Sequence, residues 1–559
     1  MRDRRPFLQT LLLAISFVLF AASLAAQTSP PNDAATQEGL KFARIYGLLK
    51  EHYADSIDPD DAIFNGAIRG MLNQLDPFSA FFDQQQFEML QEQTRGEALG
   101  FGSILYVQPG KVLVLQTAQG SPSWRAGLGP GDQIVQINRQ RVDSLDFQSL
   151  VDLLRSSRSH PATLGVLHPG KVVAEDVQLK PVEVAVPTVD NVVDFPAQQI
   201  GYIHLTGFDK KTIQEVEEAV ERLGGSKLKG LLLDLRNNHG GLVDSAVDVA
   251  SLFLKPGASV LTIRGRAQAE KSYQTSLLKV HFEMPLVVLV NGQTASAAEV
   301  LSAALEEHDR AVLAGEPTFG KGVVENIFPL SEKTGLALLI AQYFTPSGRS
   351  IQRTLPGTAL AATDPGLEKK SHFQTDDGRP VTAGGGITPD VAIPAPQRDS
   401  WLEFLNQRGA FTDFASQYLT FHSQVRKSFE PDAKVLKEFR DFLNQERILA
   451  PAKFWAQDQD YLKLRIKTEI FNLVFGLSAG NQVEIRGDPQ VQKALALFPK
   501  IPEILKGPRS KPGTVHVRRV SGGQAEEHVI GSDREKNPLT RPRPSGALSP
   551  RERAVTHPA

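Results

Sequence analysis

Between Val186 and Pro394, short apolar runs alternate with amphipathic stretches, and this pattern limits the possible folds more than any other. Gly230–Leu235 and Pro285–Val290 are almost wholly apolar at consecutive positions. A strand with one wet face alternates polar and apolar residues, so such runs predict strands covered on both faces. Ile200–Leu205 and Leu336–Phe344 read as further strands, and Ala311–Ala314 as a short one. Ile213, Val216, Val220 and Leu223 recur at helical spacing, and Leu242–Leu254 and Ala295–Glu307 are expected helices. Strands and helices in alternation predict an α/β core with helices packed on a sheet.

The chain has 559 residues, more than one such core accounts for. Residues 35–96 read as helical, broken at Asp76-Pro77, with Asp83 placed to cap the next helix. Residues 97–182 carry short strands bounded by glycine, such as Val112–Leu115 and Ile134–Ile137, and a short helix from Phe147. The α/β core is expected over 186–395 and a second helical region over 400–506. The stretch 507–559 is rich in Pro, Gly, Ser and Arg without periodicity and reads as a disordered tail. The fold class expected is therefore multidomain α+β. At the amino terminus Arg2, Arg4 and Arg5 precede an apolar run, Phe7–Leu24, and then Ala25-Ala26. That order reads as a secretory signal over 1–26, placing the protein in the periplasm or otherwise outside the cytoplasm. The alternative is an uncleaved membrane anchor, since the run is near the length that spans a bilayer.

Composition excludes several chemistries. The chain has no cysteine, so disulfides, a thiol nucleophile and thiolate metal sites are absent. Its net charge of −2 gives no reason to expect a nucleic-acid partner. No His-Glu-x-x-His string suggests a metal site.

Three strings carry candidate chemistry. In the first, Leu99-Gly100-Phe101-Gly102 precedes a strand, followed by Gly120-Ser121-Pro122 and Ala126-Gly127-Leu128-Gly129-Pro130-Gly131-Asp132. N–H groups of a glycine-containing loop can hold a terminal carboxylate while an extended peptide adds as a strand. The ordered string resembles PDZ domains; the alternative is a small β-domain that binds nothing. In the second, the strand Pro285–Val290 ends in a turn and a helix opens at Ser296, either as a plain cap or as a nucleophile facing unpaired helix N–H groups. The loop Thr318-Phe319-Gly320-Lys321-Gly322 supplies a lysine hemmed by glycine and apolar residues. A lysine base working near neutral pH has to be brought from about 10.4 to about 7–8, and burial is one means. In the third, Leu233-Asp234-Leu235-Arg236-Asn237-Asn238-His239-Gly240-Gly241 runs from a strand into a Gly-Gly turn. Its N–H groups either serve an oxyanion hole or merely make a βα turn.

Together these strings resemble the carboxyl-terminal processing proteases, also called tail-specific proteases, from about Ala35 to about Leu505. Gly292–Glu299, Phe319–Gly322, Tyr343–Gln352, Gly386–Asp390, Leu75-Asp76-Pro77 and Asp488–Ala494 match family strings in family order. The resemblance implies a crotonase-like core and peptide-bond hydrolysis without metal or cofactor. It implies Ser296 as nucleophile, Lys321 as general base, and Ala297 with Gly240 or Gly241 as oxyanion hole. Substrates are then proteins or peptides with accessible carboxyl termini, and a homodimer and an adaptor protein are further partners to expect. Two positions depart from the family. Glu325 stands where glutamine usually orients the lysine, and His239 where proline is usual. An ionised carboxylate about 4 Å from the amine would favour the ammonium by up to ~4 kcal/mol at an effective dielectric near 20. Either Glu325 is protonated, or it points away, or the enzyme is slow. The rival function is a catalytically silent PDZ scaffold; a serine hydrolase using His239 with Asp234 or Asp244 ranks below it.

Overall fold

A computed structural model describes residues 33–277, 282–330, 333–354 and 373–506. The expected signal segment and the polar tail lie outside these residues. Among the described residues no helix is long and apolar enough to cross a membrane.

The chain divides into two units, one ending at Phe81 and one beginning at Phe82. The first holds α1 (Asp33–His52), a π-helical stretch Asp61–Ile68 and α2 (Arg69–Asn73). Asp76 ends this run as expected: its carboxylate accepts from the N–H groups of Phe78 and Ser79 and from the Ser79 hydroxyl, an Asx turn that stops the helix. Along α1, Phe42, Ile45 and Leu49 are all exposed.

The second unit opens with α3 (Gln84–Arg95), capped by Asp83 and Gln86 in a reciprocal capping box. Strand β1 (Glu97–Gly100) follows, then β2 (Ser103–Gln108), β3 (Lys111–Thr117), the single-turn α4 (Pro122–Arg125), β4 (Gln133–Ile137), α5 (Phe147–Ser157), β5 (Ala162–Leu167), β6 (Glu175–Leu179) and β7 (Val182–Ala185). The order β2-β3-β4-β5-β6 makes an antiparallel sheet, with β1 and β7 paired separately. Val112, Val114, Ile134, Ile137, Leu150 and Val166 form its core, and Phe101, Leu105, Val107, Leu153 and Leu154 are among the partly buried residues packed against it.

The α/β core is built on a six-stranded sheet. Its strands are β8 (Val189–Phe195), β9 (Ile200–Leu205), β10 (Gly230–Asp234), then, later in the chain, Leu286–Val290, Ala311–Gly315 and Val391–Ala392. Helices α6 (Thr212–Leu223) and α7 (Val243–Ala250) lie between them. Strands β11 (Ser259–Gly265) and β12 (Gln268–Gln274) belong to another sheet; β13 (Leu286–Val290), α8 (Ala297–Glu307) and β14 (Ala311–Gly315) then continue this one, and Val391–Ala392 closes it. The first pair, β8 and β9, is antiparallel and the rest are parallel. Leu231, Leu233, Leu286, Val288 and Leu313 point to α6, α7 and α8. Leu232, Val287, Leu289 and Val312 point the other way, into a second cluster with Ile485, Val491, Ala494, Leu495 and Ile501. Both faces are dry, which is why these strands read as unbroken apolar runs. Each fully buried Leu, Val or Ile adds roughly 1.5–3 kcal/mol relative to exposure.

β15 (Val323–Pro329) and β16 (Gly335–Phe344) follow, and a second sheet runs β15-β16-β11-β12, antiparallel throughout. The connection from β14 to β15 therefore passes from one sheet to the other, and it carries Lys321. Helices α9 (Ser400–Arg408), α10 (Ala410–Phe421), α11 (Ala433–Gln445), α12 (Ala452–Gln457) and α13 (Gln459–Phe475) pack around Phe411, Phe414, Phe439 and Trp455. This aromatic cluster also takes in Leu113 of β3. Helices α14 (Leu477–Gly487) and α15 (Pro489–Leu495) then supply the far cover of the core sheet.

Candidate active site

Strand β13 delivers the chain to Ser296 at the head of α8. The turn between them is held by Thr294, whose hydroxyl donates to the Leu235 carbonyl at 2.8 Å and whose own carbonyl accepts from Phe319 N–H at 3.0 Å. Ser296 sits at φ 55° and ψ −119°, outside the regions open to L-residues without strain. Such a conformation costs on the order of 1–3 kcal/mol and persists only where its surroundings impose it. Here the Ser296 N–H donates to Glu299 Oε2 at 3.0 Å, and its carbonyl accepts from the N–H groups of Glu299 and Val300 and from Tyr343 Oη at 3.3 Å. Burial pushes the Tyr343 phenol well up, the Glu299 charge adding to it, so this hydroxyl stays a donor.

The Gly-Gly turn after β10 lies against the serine. A Cβ on Gly240 would fall 2.8 Å from Ser296 Cβ and 3.0 Å from Ala297 N. Gly241, at φ 141°, runs beside Phe208, and a Cβ there would meet the Phe208 carbonyl oxygen at 2.1 Å. Both positions therefore require glycine. The Gly240 N–H donates to Asn238 Oδ1 at 2.9 Å, while Asn238, fully buried, anchors the turn through the Leu205 carbonyl at 2.7 Å. The Gly241 and Ala297 N–H groups have no acceptor among the described residues. His239 is exposed, and the Asp234 carboxylate is taken by Tyr202 and Arg236, so the two do not form an acid–base pair.

Lys321 stands in a loop pinned on three sides. Thr318 N–H donates to the Ile387 carbonyl and Ile387 N–H to Thr318 Oγ1 at 2.7 Å. Arg353 N–H donates to the Gly320 carbonyl, and Gly322 N–H to Gln352 Oε1 at 2.9 Å. The strings Tyr343–Gln352 and Gly386–Asp390 thus act as clamps on the lysine loop. Lys321 Nζ lies 3.1 Å from Glu325 Oε1, both side chains largely covered. Glu325 does not point away; it faces the amine.

One feature of the site escaped the sequence reading. Glu299 has no exposed surface, and its carboxylate accepts four hydrogen bonds. Oε2 takes Ser296 N–H at 3.0 Å and Lys321 N–H at 2.9 Å. Oε1 takes Thr318 Oγ1 at 2.5 Å and Gly320 N–H at 2.8 Å. Burial pushes its carboxyl up, and the four donors oppose that rise. The far end of α8 is fixed by Arg349, which pairs with Glu306 at 2.5 Å and Glu307 at 2.6 Å. Burial pushes Glu306 up to about 7, Arg349 working against it.

The loop Leu99–Gly102 belongs to the small antiparallel domain, away from these strings in the chain. The N–H groups of Phe101 and Gly102 have no acceptor among the described residues. Gly102 has φ 75°, and a Cβ there would meet Ser121 Cβ at 2.4 Å.

The chain is similar to known proteins in several stretches. Residues 199–359 match the description of peptidase family S41, residues 113–167 a PDZ domain, and residues 19–86 the N-terminal domain of the activating protease CtpB. The carboxy-terminal-processing protease of Bartonella bacilliformis is 33% identical over 403 residues, covering 70% of this chain and 82% of that protein. The carboxy-terminal processing protease CtpA of Bacillus subtilis is 31% identical over 337 residues, covering 60% of this chain and 71% of that one. Among solved structures, the photosystem II D1 C-terminal processing protease is similar at 28% identity and a TM-score of 0.33, covering 63% of this chain and 86% of that one.

Proposed function

The chain belongs to the carboxy-terminal-processing proteases of peptidase family S41 and is a serine-type peptidase with a PDZ domain; from that premise we propose that it is exported, reads protein carboxyl termini through the PDZ domain and cleaves peptide bonds with a Ser296–Lys321 dyad. The observation that carries the dyad is the shared carboxylate oxygen joining the backbone N–H groups of Ser296 and Lys321. It ties nucleophile and base, far apart in sequence, into one unit.

In the proposed reaction Lys321 Nζ, as the free amine, takes the Ser296 Oγ proton as Oγ bonds to the peptide carbonyl carbon. The oxyanion that forms receives N–H groups from Ala297 and Gly241, both without another acceptor among the described residues and one at the positive end of α8. The C–N bond then breaks, and the leaving amine takes the proton from the Lys321 ammonium. Water, giving a proton to the amine, attacks the acyl ester, and Ser296 is released with its proton returned. Glu325 Oε1, 3.1 Å from Lys321 Nζ, holds the amine in place. That pairing supports one rival, a silent protease core on a PDZ scaffold.

For recognition, the N–H groups of Phe101 and Gly102, which have no acceptor among the described residues, suit a terminal carboxylate, with an extended peptide adding as a strand beside them. A homodimer through α1 completes the proposal: Phe42, Ile45 and Leu49 recur at the three-then-four spacing of a helix–helix seam and are exposed. Incubation of the protein with casein, beside Ser296→Ala, tests the enzyme. The expected result is fragments with the wild type and none with the variant. Fragments from both would dismiss Ser296, and fragments from neither would favour the scaffold.

A further inference from the structure

Resting on the Ser296–Lys321 reading, we infer that Glu299 is a positioning residue for catalysis, the group that sets nucleophile and base against each other. A glutamate three residues into a helix commonly returns to the N–H of the capping serine, and that role accounts for the Ser296 contact alone. It leaves the other three contacts unexplained. Lys321 N–H, Gly320 N–H and Thr318 Oγ1 come from a loop that enters from a different strand. Glu299 is therefore a joint between two loops, and each loop carries one partner of the dyad.

The chemistry of the joint requires a carboxylate. Two ionised oxygens offer about four acceptor sites, and four donors fill them. An amide of the same shape has one oxygen and an NH2 group. If its nitrogen replaces Oε2, it faces the N–H groups of Ser296 and Lys321. If it replaces Oε1, it faces Gly320 N–H, and Thr318 Oγ1 already accepts from Ile387 N–H. Either way one loop must move off the other. The strained backbone of Ser296 has no second acceptor for its N–H among the described residues, so it shifts first.

Size and packing are unchanged by Glu299→Gln, so the variant separates position from fold. We expect kcat on a fluorogenic peptide to fall on the order of 10²-fold, the loss typical of a misplacement near 1 Å. KM should stay within about twofold, because Glu299 is fully buried and its four contacts go to residues 296, 318, 320 and 321. Circular dichroism and thermal unfolding should remain close to wild type. Thr318→Val removes one donor to Oε1 and spares the Oε2 bridge, and it should cost kcat about tenfold at unchanged KM. An unchanged kcat in Glu299→Gln overturns the inference, as does a loss that vanishes when rates are expressed per folded molecule. If Glu299→Gln yields no folded protein, Thr318→Val decides, and wild-type kcat there overturns the inference. Ser296→Ala runs alongside: residual turnover in that variant defeats the dyad itself, whereas its silence with a fully active Glu299→Gln defeats only the positioning role.

Discussion

At the scale of single residues, the site depends on which groups can release a proton and which N–H groups are left over. Lys321→Arg keeps the positive charge and the reach, yet guanidinium does not deprotonate in the working range. Peptide turnover should therefore vanish in that variant, and measurable kcat would remove Lys321 as base. Glu325→Gln keeps the size of the side chain that lies 3.1 Å from Lys321 Nζ and removes its carboxylate. Peptide kcat at pH 7 should rise in that variant, and an unchanged kcat would mean that the side chain acts on the amine only by holding it. Gly241→Ala places a methyl on the Phe208 carbonyl and displaces the proposed oxyanion donor, for an expected kcat loss on the order of 10²-fold at similar KM. Ser296, Lys321 and the Gly-Gly turn could be put forward as candidates from the sequence because each lies in a short local string. Glu299 was not, because its role arises from contacts with residues 318, 320 and 321, which no local pattern encodes.

At the scale of elements, the buried strands β10, β13 and β14 were readable because burial on both faces leaves no polar position to blur the run. Gln268–Gln274 was not readable: its sequence, QAEKSYQ, is largely polar, and it becomes a strand by pairing with β11. Leu232 of β10 has no exposed surface and faces the carboxyl-terminal helices. Leu232→Ala should cost about 2–5 kcal/mol, read as a lower urea midpoint at constant slope. Beside β10, His204 of β9 meets Asp190 at 2.7 Å and the Arg236 carbonyl at 3.2 Å. Burial opposes its charge, but the Asp190 bond with the Asp234 and Asp190 charges raises it to about 9. A histidine raised above its unfolded value of about 6.5 gives its full stability below that pH. The contribution is lost as pH rises through about 9. His204→Asn should flatten the decline of Tm over that interval, and an unchanged slope would assign the decline to other groups.

At the scale of the whole chain, peptide reading and peptide cutting are assigned to different domains, so they should respond separately. Amidating the carboxyl terminus of a peptide removes its charge and leaves every scissile bond intact. Binding to the full-length Ser296→Ala protein, measured by calorimetry, should be at least tenfold tighter for the acid than for the amide. Gly102→Ala, which drives a methyl into Ser121, should abolish that difference. Equal affinities in the unmodified loop would mean that the domain does not read chain ends. The arrangement of the core sheet also bears on synthesis. Its far face is covered by residues from Ile485 to Ile501, which a ribosome adds after every strand of that sheet has been made. Until they arrive, Leu232, Val287, Leu289 and Val312 lack their cover, so the growing polypeptide carries its serine and lysine long before it can hold them in register. On the proposed dyad reading, hydrolytic competence would wait until the chain has been made as far as Ile501.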